Sequence, residues 1–365
     1  MILHFYFARR FAMSFLIITG VFLTLVVLVD LIEQTRRFSD MGVTLGQRLT
    51  LSLLNAPETI NQILPLIMIL ATVVLFISLA RSSELVVARA AGRSAMRTLM
   101  SPVVVALIIG CMGVGMLTPI VAATTKRYSA LVDGYRSGGA STLSISAEGL
   151  WLRQGSESGQ TVIRASQSNA DASVLYDVTF MEYGENGSPL RRIEAKSAAL
   201  QLGAWSLRSA KEWPLQAGIN PEGNATTHEL LEVPSSLTLD RIRESLGTPA
   251  SVAIWDMPEF IAQLEQAGFS ARRHKVWMQA ELARPAFLMA MVLVAAAFTM
   301  RHTRFGGTGI AVLSAVLMGF GLYFMRSFAQ ILGENGQIPT VLAAWAPPAA
   351  AILLAVGLLL HAEDG

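Results

Sequence analysis

The sequence predicts an α-helical membrane protein with six transmembrane helices and one inserted all-β, jelly-roll-like domain. Three observations predict it. Of 365 residues, 53% are hydrophobic and 15% charged, with a mean hydropathy of +0.50, whereas an average soluble domain carries roughly 25% charge. Six long uncharged apolar runs fall into two groups of three. Between the groups lies a polar, acidic stretch punctuated by glycine.

The runs cover residues 11–29, 60–80, 101–123, 286–300, 305–325 and 338–360. A lipid-crossing helix needs roughly 20 apolar residues, which five of them supply. The run from Ala286 is short, so its helix is expected to start nearer Trp277, with Arg284 snorkelling to the interface. Pro65, Pro119, Pro285 and Pro347–Pro348 lie in or beside runs, where neighbouring helices can re-satisfy the backbone. The first run outlasts a signal-peptide core and ends without a small-x-small site, so it reads as a retained span. The single cysteine, Cys111, excludes an intramolecular disulfide.

Orientation follows from short-loop arginines. Arg9 and Arg10 precede span one, Arg81, Arg89, Arg93 and Arg97 follow span two, and Arg301 and Arg304 follow span four. Both termini are therefore expected in the cytoplasm, with the segment from Lys126 to Arg284 on the far side. Within it, residues 137–265 hold 9 basic and 16 acidic residues, leaving 19 basic and 10 acidic elsewhere. Strand candidates are 142–146, 150–153, 161–165, 174–183, 192–202, 205–210 and 229–233, with Gly155, Gly159, Gly184, Gly187, Gly203 and Gly223 as turns. Such texture argues for a sandwich or jelly roll. Pro258 then opens a helix over 259–267 that Gly268 stops. The domains expected are 1–125 (spans one to three, with a cytoplasmic helix near 81–93), 126–271 (the β domain and its return helix) and 272–365 (spans four to six).

Motifs of catalysis are missing. The chain has no G-x-x-x-x-G-K-[ST] phosphate loop, no H-E-x-x-H and no G-x-S-x-G, and its five histidines are scattered. No metal site, cofactor or nucleophile–base pair is indicated, and an enzyme is the weaker class.

Four segments carry a signal. Residues 81–93 form a helix candidate of roughly three turns with Leu85, Val86, Ala88 and Ala90 on an apolar side and Glu84, Arg89 and Arg93 on a polar one. It can dock in a groove of a motor subunit or lie at the interface and set topology. Asp30, Glu33, Arg36 and Arg37 close span one; Glu33 and Arg37 can pair internally, or Arg36 and Arg37 can grip phosphates with their planar forks. Arg326, near the outer end of span five, needs a partner, water or a route to the interface, since a charge inside lipid costs at least roughly 2.5 kcal/mol. Asp30 lies at similar depth on span one. Lys126, Arg127, Arg272, Arg273 and Lys275 flank the β domain and either anchor its hinge or hold anionic head groups.

The loop containing Ser83-Glu84-Leu85-Val86-Val87 and Ala91-Gly92, together with Glu148-Gly-Leu-Trp151, the stretches 260–268 and 273–285, and Gly336-Gln-Ile-Pro339, resembles the lipopolysaccharide-export ABC permease family (LptF/LptG) over nearly the whole chain. The G-type subunit is the better match. The resemblance implies a half-transporter that pairs with a paralogous F-type permease around a lipid cavity, above an ATPase dimer that binds ATP and Mg, so the chain needs no cofactor itself. It implies an inner-membrane location, a periplasmic jelly roll passing lipid to a periplasmic bridge protein and its membrane anchor, and a coupling helix whose acidic residue, here Glu84, contacts the ATPase beside Leu85, Arg89 and Arg93. It further implies Arg36–Arg37 in the substrate cavity, and a lateral gate between spans one and five of different subunits, where Asp30 and Arg326 are expected to contribute to gate ion pairs and Asp30 departs from the basic residue of many relatives. Other classes weighed against it are a permease of a different lipid or lipoprotein exporter and a membrane-anchored scaffold or binding protein.

Overall fold

The computed structural model describes residues 2–39, 42–82, 84, 95–136, 143–146, 149–156, 159–169, 173–184, 187–215, 218, 220–235, 237–238, 242, 248–300 and 308–364. Of the helix expected near 81–93, Arg81, Ser82 and Glu84 are described, while the rest, with Leu85, Arg89 and Arg93, lies outside these residues, as do Glu148, Arg301 and Arg304. The chain divides into a helical unit, Met1–Tyr128 with Arg272–Gly365, and a β unit, Ser129–Ala271.

The helical unit comprises α1 (Ile2–Arg37), α2 (Leu45–Arg81), α3 (Ala95–Met112), a π turn (Gly113–Leu117), α4 (Thr118–Arg136), α6 (Arg272–Leu282), α7 (Arg284–Thr299), α8 (Thr308–Glu334) and α9 (Thr340–Asp364). Among the described residues, five helices are long and apolar enough to cross a membrane alone; α6 and α7, bent by 51°, make a sixth if taken as one broken span. Residues 3–37, 45–81 and 96–132 are continuous, and at 1.5 Å per residue each outreaches a roughly 30 Å hydrocarbon layer. Thr44 starts α2 with a capping box: its backbone N–H donates to Gln47 Oε1 at 2.8 Å, and its hydroxyl accepts from the Gln47 N–H. The π turn lies just before Pro119, where the ring would strike the carbonyl four residues back; the wider turn absorbs that clash.

Helix α7 is the buried axis. From Pro285 to Phe298 its residues are apolar all round, many of them alanine, and it packs against α2, α3, α8 and α9. Phe7, Phe11 and Phe15 of α1, Ile67, Met68 and Phe76 of α2, and Phe287 and Met291 of α7 form the core. Gly110 lets α3 touch the bend, since a Cβ there would lie 2.5 Å from Pro285 Cα.

The β unit holds β1 (Leu143–Ser146), β2 (Gly149–Ser156), β3 (Gly159–Ser168), β4 (Val174–Gly184), β5 (Pro189–Gln201), β6 (Ala204–Pro214) and β7 (Thr226–Pro234). Among the described residues they form one sheet, antiparallel throughout and in sequence order. The separate sheets of a sandwich are replaced by a single meander that doubles over. Trp205 sits at the register of Leu200, whose N–H bonds to Ser173 at 2.9 Å. Phe180 is seven residues farther along β4, roughly 23 Å in a flat sheet, yet the two rings stand edge to face at 6.2 Å. Gln154 of β2 likewise donates to the Pro234 carbonyl at 3.2 Å, although five strand spacings would separate them by roughly 24 Å in a flat sheet.

The crease is visible strand by strand. In each of four strands the buried residues take one step of two and one of three: Ile163, Ala165, Ser168; Leu175, Val178, Phe180; Ile193, Ala195, Ala198; Trp205, Leu207, Ala210. All four steps of three fall on one transverse row, Ser166–Asp177–Lys196–Ser209, where ladder pairing is interrupted while register is kept. Asp177 and Ser209 there have φ of 48° and 53°, a left-handed turn in the strand that keeps the apolar face inward on both sides.

Helix α5 (Met257–Gln266) follows the expected return helix. The Phe269 N–H reaches the Leu264 carbonyl at 2.9 Å and the Gly268 N–H the Glu265 carbonyl at 3.1 Å, a Schellman-type stop with Gly268 at φ +87°. A Cβ on Gly268 would also lie 1.9 Å from the Ser168 carbonyl oxygen.

Gly268→Ala is expected to cost more than about 1 kcal/mol and lower the thermal midpoint of the β unit, read by tryptophan fluorescence of the solubilised chain. Ser209→Gly is expected to leave that midpoint unchanged or raised, because the crease already demands a left-handed residue.

Candidate functional site

Polar side chains gather at both ends of the helical unit. Where α1 begins and α2 ends, Arg10 Nη1 stands 2.7 Å from Glu84 Oε1, and the Ser82 hydroxyl donates to the same oxygen at 2.8 Å. The Arg10 guanidinium lies over the Tyr6 ring, 5.5 Å from its centroid. Tyr6 and Arg10 are one turn apart on α1, so the helix itself aligns them. Partial burial pushes the Glu84 carboxyl up, but the polar groups of Ser82, Tyr6 and Arg10 around it outweigh that and hold the group below its ordinary range. Sequence reasoning treated Arg10 only as a topology marker; the signal available was an arginine facing the loop that carries Glu84.

At the other end, α2 supplies three residues at successive helical turns. Asn55 donates to Asp30 Oδ1 of α1 at 2.8 Å. Glu58 Oε2 accepts from the Thr125 hydroxyl of α4 at 3.0 Å. Asn61 accepts from Arg284 of α7, and Arg284 also pairs with Glu281. Gln34 adds a bond to Asp30 at 3.4 Å and another to the Tyr128 hydroxyl at 2.9 Å. Asn61, Glu281 and Arg284 are all buried, with Arg284 only 5% exposed. The expectation that Arg284 snorkels is therefore corrected: the bend after Leu282 turns it into the bundle toward Asn61. Arg326 is 9% exposed and lies over Phe287, 5.0 Å from the ring centroid.

Asp30 and Arg326 form no ion pair within the chain; Asp30 takes amide donors instead. Arg36 and Arg37 are exposed at the end of α1, with Arg37 over the Phe38 ring at 5.9 Å, and no Glu33–Arg37 pair forms. Lys126, Arg127, Arg272 and Arg273 are exposed, and the Arg272 guanidinium covers the turn at Gly336. In the β unit, Leu150 of the Gly-Leu-Trp motif is fully buried, while Trp151 turns to the opposite face beneath Arg164 at 5.5 Å. Among the described residues no group of three or more His, Cys, Asp or Glu could hold a metal ion.

The sequence model of the family described as Lipopolysaccharide export system permease LptF/LptG matches residues 5–361. The chain is 25% identical to the Lipopolysaccharide export system permease protein LptG of Haemophilus influenzae, over 95% of this chain and 97% of that protein. It is 23% identical to the protein of the same name from Escherichia coli K12, over 85% of this chain and 84% of that protein. Both relatives are G-type, as the loop and the Gly-Leu-Trp motif suggested.

Two outcomes follow from the geometry. Because Glu84 has a depressed pKa, its pairing contributes fully above the ordinary carboxylate range and is lost as pH falls through the lowered value. Wild type should therefore melt slightly above Glu84→Gln at neutral pH, by no more than about 1 kcal/mol for so exposed a pair, and the difference should shrink as the pH is lowered below the ordinary carboxylate range. Arg284→Ala should cost about 3–5 kcal/mol, seen as a large loss of thermal midpoint in detergent, because it leaves Glu281 charged, buried and unpaired.

Proposed function

The chain belongs to the LptF/LptG family of lipopolysaccharide export permeases, and from that premise we propose that it is the G-type half of an ATP-driven transporter that extracts lipopolysaccharide from the inner membrane. The match over residues 5–361, spanning both helical and β units, carries this reading. The chain supplies no ATPase and no cofactor of its own; ATP and Mg are bound by a partner ATPase dimer. A paralogous F-type permease completes the lipid cavity.

Both termini and Glu84 face the cytoplasm, and the acidic β unit lies in the periplasm. Arginine counts on the short loops support that orientation. Glu84 is the contact to the ATPase, with Leu85, Arg89 and Arg93 following it. Arg36 and Arg37 meet lipid phosphates; their exposure and lack of a paired carboxylate among the described residues support this. Asp30 and Arg326 act at a gate formed with the other permease. Lys126, Arg127, Arg272 and Arg273 meet head groups on their way out. The doubled-over sheet is jelly-roll-like in effect, closing an apolar interior between its halves, and it hands lipid to a periplasmic bridge.

Affinity purification from native membranes tests the reading. Wild type is expected to bring down an ATPase and a second six-span permease, and Glu84→Ala to lose the ATPase. Recovery of the chain alone, or of periplasmic proteins only, would replace the transporter by a scaffold.

A further inference from the structure

Helix α1 is held unevenly. Phe7, Phe11 and Phe15 fix its first half to the core, while residues 16–25 contain no buried side chain. Its far end is tied by Asp30 and Gln34. Between Ile2 and Arg37 it contains no proline, so it is one rigid rod of roughly 54 Å. Helix α2, which leads directly into the loop at Glu84, contains Pro57 and Pro65, each of which removes a backbone hydrogen bond and softens the rod.

We propose that Arg10 is the positioning residue that passes displacement of the Glu84 loop to α1, and so to Asp30, Arg36 and Arg37 at its other end. The Arg10 guanidinium is suited to this. It is ion-paired to Glu84 at 2.7 Å and backed by the Tyr6 ring of its own helix, so the loop cannot shift without pulling on α1 or breaking the pair. Glu84 need not release Arg10 to meet an outside donor. A carboxylate offers about four lone-pair sites, and both Arg10 and Ser82 sit on Oε1. An external cation at Oε2 would thus be joined to α1 through one carboxylate. The inference rests on the reading of Glu84 as the ATPase contact.

The test uses the complete complex in proteoliposomes loaded with lipopolysaccharide, and measures bound ATPase, ATP hydrolysis and lipid released per ATP. Arg10→Ala is expected to keep the ATPase bound and hydrolysis within about twofold, while release per ATP falls at least about fivefold, the low end of typical coupling free energies. Arg10→Lys, which keeps the charge, is expected to retain most of the ratio. A ratio unchanged in Arg10→Ala overturns the proposal. So does loss of the ATPase from that variant, since Arg10 would then belong to the docking surface. Wild-type complex that brings down no ATPase overturns the underlying reading, and this inference with it.

Discussion

Helix α2 fixes the helical unit through three polar residues on successive turns. Apolar packing alone lets helices rotate and slide, because lipid tails are as apolar as the side chains they replace. Asn55, Glu58 and Asn61 remove that freedom, each reaching a different helix: Asp30 on α1, Thr125 on α4 and Arg284 on α7. Each bond satisfies a group that would be costly to leave unpaired away from water. The third also explains the bend of 51° between α6 and α7, since Arg284, with Pro285 behind it, turns inward at the break to meet Asn61 and Glu281.

The β unit depends on a different constraint. A sheet that doubles over must keep its apolar face inside on both sides of the crease, and alternation with period two cannot do this if every strand turns sharply on one row. One extra residue on that row in each of β3, β4, β5 and β6 restores the pattern, much as a bulge would. Asp177 and Ser209 are short polar residues placed at positive φ, and aspartate tolerates that region better than a branched side chain would.

Much of this was legible in the residues. The long apolar helices and all seven strands follow from hydropathy and alternation, and Gly268 marked its helix stop. The crease was legible too, in the three-residue step between Leu175 and Val178 or Leu207 and Ala210, but strict alternation cuts such strands short; β6 reaches Pro214 rather than Ala210. Arg284 misled because a lone arginine beside an apolar run suits snorkelling equally well, and its partner Asn61 is 223 residues away. The Glu33–Arg37 spacing suggested a pair that does not form, in keeping with the small worth of exposed i,i+4 contacts.

The two ends of α1 differ in how their charge is cancelled. At its start, Arg10 meets Glu84 and the pair is neutral. At its end, the carboxylate of Asp30 is taken up by the amides of Asn55 and Gln34, and Glu58 by the Thr125 hydroxyl. Neutral donors satisfy these carboxylates without supplying a cation, so they remain hydrogen-bonded at low cost but are held away from Arg36 and Arg37. Those two arginines, with exposed Lys126 and Arg127, keep their positive potential, and a phosphate-bearing head group could meet it without displacing an internal partner. The same helix therefore carries a settled ion pair near one end and uncancelled positive charge at the other.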